Sequence, residues 1–582
     1  MKRDGFKLVM NIIMKIVIVL AVLIGMRCLF TESFYIRAVR PLLISSALIV
    51  ISGYFFSSQK KYFMSVTVLG TLFCSVLYIK VLVQEVLTYG MFNEIVSFSI
   101  GIVNAVLLTF LLFESTQLSK MFVLIILYMP LVLFWSYYFS SGAWISVDTV
   151  MAILQTNVSE SCEYISDTMT FSGCIGLLTL SGLVLLSAWI ASSLEKKNVY
   201  KYGSVFLVAF VVANAIFAYR HRNNIVTDIV VQTKLYTEKY NDFEKQKTVR
   251  KTSLKNGVGR IANVGDGVYV LVIGESQNRN NMSAYGYQRK TTPWLESMKH
   301  IENFIIFDKA YSCHTHTVPV LTYALTAKNQ YNDLKLGESV SLLEVVEAAG
   351  FETVWISNQV KYSAWDTPVT VIADEANQQF WHNNNVGEKT ATNHYDLKLV
   401  ESIEKIKITD KMLIVFHLMG NHGSYRERYP KDFKKFNGRK TLDEYDNSIL
   451  YNDYVVQNLF EKVRELPNFK GFVYFADHAD AVLQGLAHDA SKFVPEMTHV
   501  PMYMYFDKSY VREFEEKVYK LNDSRSTVFT NDLAFNTILS IMGIQVDSVY
   551  EAHNDIVSDE YDANVQRFKT LYGKKQICIE GK

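Results

Sequence analysis

The sequence predicts a multi-span α-helical membrane domain followed by a soluble α/β domain with a mostly parallel sheet covered by helices on both faces. Three observations predict it. All twelve histidines lie at or after His221. The 220 residues before them are mostly apolar runs separated by short charged stretches. Beyond about residue 265, short apolar runs rich in β-branched residues alternate with helical patterns, the signature of strands buried on both faces.

Taking the elements in order, apolar runs long enough to cross a hydrocarbon core of about 30 Å lie near 8–30, 40–57, 64–84, 92–113, 121–140, 171–192 and 203–219. Lys15, Arg27, Lys80 and Glu94 interrupt or edge their runs, so the count is five to seven helices. Lys2, Arg3, Lys7, Lys60, Lys61, Lys120, Lys196, Lys197 and Lys201 fall on one side of this topology. Basic loops favour the cytoplasm, which places the N-terminus inside and everything after Tyr219 outside. Between the spans, 145–168 is too polar to cross yet carries Val150, Ile153 and Leu154 at helical spacing, as an interfacial helix does.

Residues 220–264 are polar and charged, as expected of a linker. The body begins at Asp266 with the run 268–273, and further strand-like runs follow at Phe304–Phe307, Phe351–Ile356, Met412–Phe416, Phe472–Phe475 and Val500–Phe506. Helical patterns occupy 340–349, ended by Gly350, and Tyr445–Val463. The organisation read from the chain is a transmembrane domain over 1–219, a linker over 220–264, an α/β domain over 265–570 and a tail over 571–582.

Composition narrows the function. With 58 Lys and Arg against 57 Asp and Glu the net charge is +1, and no basic stripe dominates the second half, which argues against a nucleic-acid partner. Of six cysteines only Cys313 and Cys578 lie in the soluble half, so it holds at most one disulfide of its own.

In open α/β sheets ligands gather beyond the carboxyl ends of the strands, and chemistry-bearing residues cluster there. Glu275 follows the first run, His417 and His422 follow another, and Asp477-His478 follows a third, with His488 and His499 downstream. Adjacent Asp and His offer the oxygen and nitrogen ligands that zinc accepts. Each histidine alone is more often a surface or hydrogen-bonded core residue. Together they suggest a metal site, while His300, His382, His394 and His553 keep the ordinary reading. A nucleophile is offered by Cys313-His314-Thr315-His316-Thr317, where spacing alone leaves Thr315 and Thr317 equally eligible. A threonine hydroxyl attacks at neutral pH only where a base or metal stabilises its alkoxide.

Across 268–506 the motifs Val270 to Ser276, Tyr285-Gly286-Tyr287, Ser312 to Thr317, Trp355 to Gln359, His417 to Gly423, Tyr429-Pro430, Tyr445 to Tyr451, Ala476-Asp477-His478 and Thr498 to Pro501 occur in order. In these the chain resembles the phosphoethanolamine transferases of the alkaline phosphatase superfamily, a group that includes the mobile colistin resistance enzymes. The resemblance implies an alkaline phosphatase/sulfatase-like fold. It implies Zn2+ at one tight site formed by Glu275, Thr317, Asp477 and His478, with Thr317 as nucleophile. His422 and His488 would sit at the edge, where donor phosphate or a second zinc would lie, and His417 and His499 would support them. It further implies phosphatidylethanolamine as donor, lipid A, lipopolysaccharide core or another envelope glycan as acceptor, and a multi-pass inner-membrane protein with its catalytic domain in the periplasm.

The chain departs from the family pattern in keeping only Cys313 of the cysteines near the nucleophile, in having seven apparent spans where five are common, and in placing Ala479 after the Asp-His pair. A sulfatase would need a cysteine or serine nucleophile in C/S-x-P-x-R, and Thr317 to Leu321 is wrong at both ends. The remaining rivals are a phosphoglycerol transferase of the same superfamily and an inactive scaffold.

Overall fold

The computed structural model describes residues 225–255, 261–263, 266–360, 368–383, 395–438 and 440–579, together with 10–18, 20–21, 135, 137, 145, 147, 149–151, 174–179, 181–182 and 185. The chain divides into two units, one of residues 1–147 with 168–233 and one of 148–167 with 234–582. Among the described residues no helix is long and apolar enough to cross a membrane. The candidate spans 40–57, 64–84, 92–113 and 203–219 lie wholly outside the described residues, as does most of 145–168. In the first unit the described stretches 10–18 and 174–179 are helical.

The second unit is built on a seven-stranded sheet. Its strands are β1 (Gly267–Gly274), β2 (Phe304–Phe307), β3 (Glu352–Val360), β4 (Gln378–Asn383), β5 (Lys411–His417), β6 (Phe469–Ala476) and β7 (Met502–Phe506), in the order β2-β7-β6-β1-β5-β3-β4. The pairs of β1 with β5 and β6, and of β3 with β4 and β5, are parallel. Only β7 runs against the others, pairing antiparallel with both β6 and β2.

β1 shows why a continuous apolar run makes such a strand. Tyr269, Leu271 and Ile273 enter one core, while Val268, Val270 and Val272 enter the other. Successive side chains point to opposite faces, and with helices on both sides neither face tolerates a polar residue. β3, β5, β6 and β7 keep their predicted cores with boundaries moved by a few residues. β4 has no counterpart in the sequence reading: its run QQFWHN is polar because the strand lies at the sheet edge, with every residue only half-buried.

Two helices precede the sheet where composition reads as linker: α1 (Ile225–Lys245) and α2 (Lys247–Lys255). Phe243 of α1 is fully buried. From α2, the Arg250 Nε reaches Glu344 Oε2 at 3.0 Å and its Nη1 donates to Gly337 O at 3.0 Å. Phe243, Arg250, Leu254 and Lys251, whose Nζ lies 3.1 Å from Glu347 Oε2, therefore pack this part of the chain onto the body, which mean composition does not register.

Within the body, α3 spans Thr317–Ala324 and α4 Leu342–Ala348. α4 starts at Leu342 because Ser341 caps it, its hydroxyl accepting the Glu344 N–H while Glu344 accepts the Ser341 N–H. Gly350 follows at φ +86°, the left-handed step that ends a helix. α5 spans Lys440–Val463, five residues longer at its start than predicted. The tail is not loose throughout, since Ile577 packs into the core beside the 569–570 and 575–576 strand pair.

Candidate active site

Parallel strands β5, β1 and β6 deliver three loops to one end of the sheet. Glu275 leaves β1, Leu418 to His422 leave β5, and Asp477-His478 leave β6. Backbone bonds lock the loops together, with Asp477 N–H donating to Gly274 O at 3.0 Å and Asn421 N–H to Glu275 O at 2.9 Å. Thr317, the first residue of α3, completes the cluster.

Its hydroxyl donates to Glu275 Oε2 at 3.1 Å and lies 3.4 Å from His478 Nε2. The same His478 nitrogen is 3.3 Å from Glu275 Oε1 and 3.4 Å from Asp477 Oδ2. Glu275, Asp477 and His478 are all essentially inaccessible. Asp477 Oδ2 and His478 Nδ1 are buried without a hydrogen-bond partner. Two carboxylates and an imidazole crowded in the interior, with donor atoms left over, form a costly arrangement unless a cation joins them. Burial pushes the Glu275 carboxyl up to about 7. Burial and the charge of Glu275 push Asp477 to about 7 as well, and burial lowers His478 to about 4. Glu275, Asp477 and His478 have ligand atoms within 4.8 Å of one another, as do His478, Asp480 and His488. The donor set of carboxylate oxygens, an imidazole nitrogen and a hydroxyl fits zinc.

His488 stands beside His478 with ring centroids 4.3 Å apart, and its Nδ1 lies 2.6 Å from Asp480 Oδ1. Burial lowers its affinity for a proton, and the Asp480, Glu275 and Asp477 carboxylates together raise it to about 9. His422 is half-buried and pushed down to about 3 by burial, with the charges of Arg428, His488, Asp480 and His478 acting on it.

The other two predicted histidines stand behind the site. His417 ends β5, edge-on to Trp355 at 5.7 Å, and burial lowers it to about 3. His499 pairs its Nδ1 with Asn280 Nδ2 at 3.1 Å and packs edge-on against Tyr311. Of the two threonines left open by spacing, Thr315 is buried against His316 Nδ1 at 3.2 Å, whereas Thr317 reaches the carboxylate cluster. Cys313 and Cys578 are both free, so they do not pair.

Several residues that build the site were not singled out from the sequence. Asp480 is the clearest, and the run Asp477-His478-Ala479-Asp480 carried the signal in its second carboxylate. Gln359 donates to Glu275 Oε2 at 3.3 Å and to Leu418 O at 2.9 Å. Asp396 accepts the N–H groups of Met419 at 2.9 Å and Gly420 at 2.7 Å, shaping the loop that carries His422. Asn531 donates to Asp477 O at 2.7 Å while accepting Cys313 N–H at 3.0 Å, and so ties β6 to the Thr317 loop.

Residues 268–544 match the family model described as Sulfatase. The chain is 34% identical over 236 residues to phosphoethanolamine transferase EptC of Escherichia coli, an alignment covering 38% of this chain and 40% of that protein. A crystal structure of the C-terminal periplasmic domain of EcEptC from Escherichia coli in complex with Zn aligns over 55% of this chain and 95% of that chain at 26% identity and a TM-score of 0.49. The integral membrane protein lipooligosaccharide phosphoethanolamine transferase A (EptA) from Neisseria meningitidis aligns over 85% of this chain and 97% of that chain at 20% identity, with a TM-score of 0.60.

Proposed function

We propose that this chain, whose residues 268–544 form a sulfatase-family domain of the alkaline phosphatase superfamily and whose relatives are named phosphoethanolamine transferases, is a membrane-anchored, zinc-dependent phosphoethanolamine transferase. It moves the head group from phosphatidylethanolamine to an envelope acceptor, lipid A or lipopolysaccharide core. The observation that carries this reading is the Thr317 hydroxyl, donated to Glu275 and held beside His478 and Asp477. In a non-catalytic relative nothing requires a hydroxyl to share a buried cluster of carboxylates and imidazole.

Zinc held by Glu275, Asp477, His478 and the Thr317 oxygen would favour the alkoxide and polarise the phosphoryl group. The chain's own residues do the rest. Thr317 gives up its hydroxyl proton as its Oγ bonds to phosphorus, the bond to the diacylglycerol oxygen breaks, that oxygen takes up a proton and leaves as diacylglycerol, and phosphoethanolamine rests on Thr317. An acceptor oxygen then displaces Thr317 from phosphorus. Asp480 favours the protonated form of His488, which sets a positive charge next to the phosphoryl oxygens, where charge stabilisation has its largest effect. His422, neutral and half-buried, lines the same side.

Mass spectrometry of the cell envelope with and without the gene tests the activity, with an added phosphoethanolamine expected only when the gene is present. No added group in either strain counts against it. Diacylglycerol released from phosphatidylglycerol and not from phosphatidylethanolamine would favour the phosphoglycerol transferase instead.

A further inference from the structure

The residue after Glu275 is strained. Ser276 takes φ +52°, left-handed backbone that few residues other than glycine adopt. Such a conformation persists where its surroundings over-determine it, and three hydrogen bonds do so here. The Ser276 N–H donates to Asp477 Oδ1 at 3.1 Å, its Oγ donates to Glu275 Oε1 at 2.9 Å, and its carbonyl accepts the Tyr445 hydroxyl at 2.7 Å.

The first two bonds come from inside the cluster and the third from α5. Tyr445 is fully buried, and its oxygen also accepts the Asn278 N–H at 2.9 Å, so one hydroxyl clasps the turn at both ends. Its ring packs edge-on against Tyr425 at 4.8 Å, and Tyr425 in turn donates to Asp480 Oδ2 at 2.6 Å. Burial holds the Tyr445 phenol well above its usual range, so it stays a donor.

We infer that Tyr445 is a positioning residue: its hydroxyl holds the left-handed turn at Ser276 and so keeps the Glu275 carboxylate aimed at a divalent metal shared with Asp477 and His478. The inference rests on the reading of those residues as zinc ligands. Tyr445 touches no substrate, and its effect passes through the backbone to Glu275. Tyr425 is the natural comparator, a buried tyrosine of the same stack whose hydroxyl serves Asp480 instead.

Zinc titrated against a competing chelator into the full-length protein in detergent provides the test, with Tyr445→Phe and Tyr425→Phe beside wild type. Loss of a hydrogen bond made directly to a metal ligand weakens metal affinity by roughly 10–100-fold. Tyr445 reaches Glu275 through the backbone of Ser276, so a weakening at the lower end of that range, roughly 10-fold, is expected for Tyr445→Phe, with a smaller one for Tyr425→Phe. The gain in melting temperature on adding zinc should shrink in Tyr445→Phe, over and above the fall in the zinc-free melting temperature caused by leaving the Ser276 carbonyl and the Asn278 N–H unpaired. A second pair probes the turn with Tyr445 intact: Ser276→Gly and Ser276→Ala both lack the hydroxyl, but only glycine accepts φ +52° without strain, so Ser276→Gly should bind zinc more tightly. Equal affinities for that pair, or Tyr445→Phe binding as wild type or no more weakly than Tyr425→Phe, would overturn the inference. A wild-type protein that binds no zinc would overturn it together with the site reading, and the two failures are thereby distinguished.

Discussion

Gly420→Ala is the substitution whose cost the structure specifies most directly. Gly420 sits in the loop after β5 at φ +48°, and a Cβ there would lie 2.9 Å from both the N and the O of Glu275 and 3.1 Å from its Cβ. The first contribution is conformational, since a left-handed alanine costs about 1–2 kcal/mol. The second is steric. The atoms met are backbone held by the bond from Asn421 N–H to Glu275 O, so the overlap is relieved only by moving a loop, which costs about 1–3 kcal/mol more. The expected destabilisation is about 2–5 kcal/mol. Gly423→Ala is the control: nothing lies within 4 Å of its Cβ, and it should stay within about 0.5 kcal/mol of wild type. Denaturant unfolding of metal-free and zinc-saturated protein separates two effects, because pressure on Glu275 should also reduce the stabilisation zinc confers. A Gly420→Ala protein as stable as Gly423→Ala in both states would refute the close-approach reasoning.

Thr317→Ala should reduce transfer by several orders of magnitude while leaving thermal unfolding unchanged, and full activity in an envelope-lipid assay would discard the nucleophile assignment. Glu275→Ala and His478→Ala should lower bound zinc, measured by elemental analysis, as well as rate, and a variant that keeps both leaves the ligand set. Away from the site, burial and then the Glu344 charge raise Glu375 to about 8. A carboxyl raised on folding contributes stability fully present below its unfolded value of about 4.3 and lost as pH rises through the folded value. The melting temperature should therefore fall as pH is raised from about 4.3 towards about 8 and level off above that, and Glu375→Gln should flatten that fall; identical pH profiles for the two proteins would exclude Glu375 as its source.

Much of the sheet was legible because its strands are buried on both faces, so β1, β5 and β6 read as unbroken apolar runs. β4 was not, since an edge strand lacks that requirement. The convergence of Glu275, Asp477 and His478 was legible as a set of strand ends, because parallel strands deliver their carboxyl ends to one side. Which threonine joins them was not: Thr315 and Thr317 differ in direction, and direction is set by the start of α3. The outer residues escaped for a different reason. Gln359, Asp396 and Tyr445 act through a few hydrogen bonds to groups far away in the sequence, and nothing in their local sequence distinguishes them from ordinary polar residues, whereas Asp480 was marked only by the second carboxylate of its run.

The seating of Arg250 has a practical consequence for dissecting the chain. Its Nη1 also donates to Phe243 O at 2.6 Å, its guanidinium covers the Phe243 ring at 4.0 Å, and Glu375 lies 3.9 Å from its Nη2. A fragment cut at Asp266, where the sheet begins, would leave Glu344 in an apolar interior without the guanidinium that pairs with it. Removing one partner of a buried ion pair destabilises a fold by about 3–5 kcal/mol. An excised α/β fragment should accordingly begin upstream of Phe243, taking the charged helices with it.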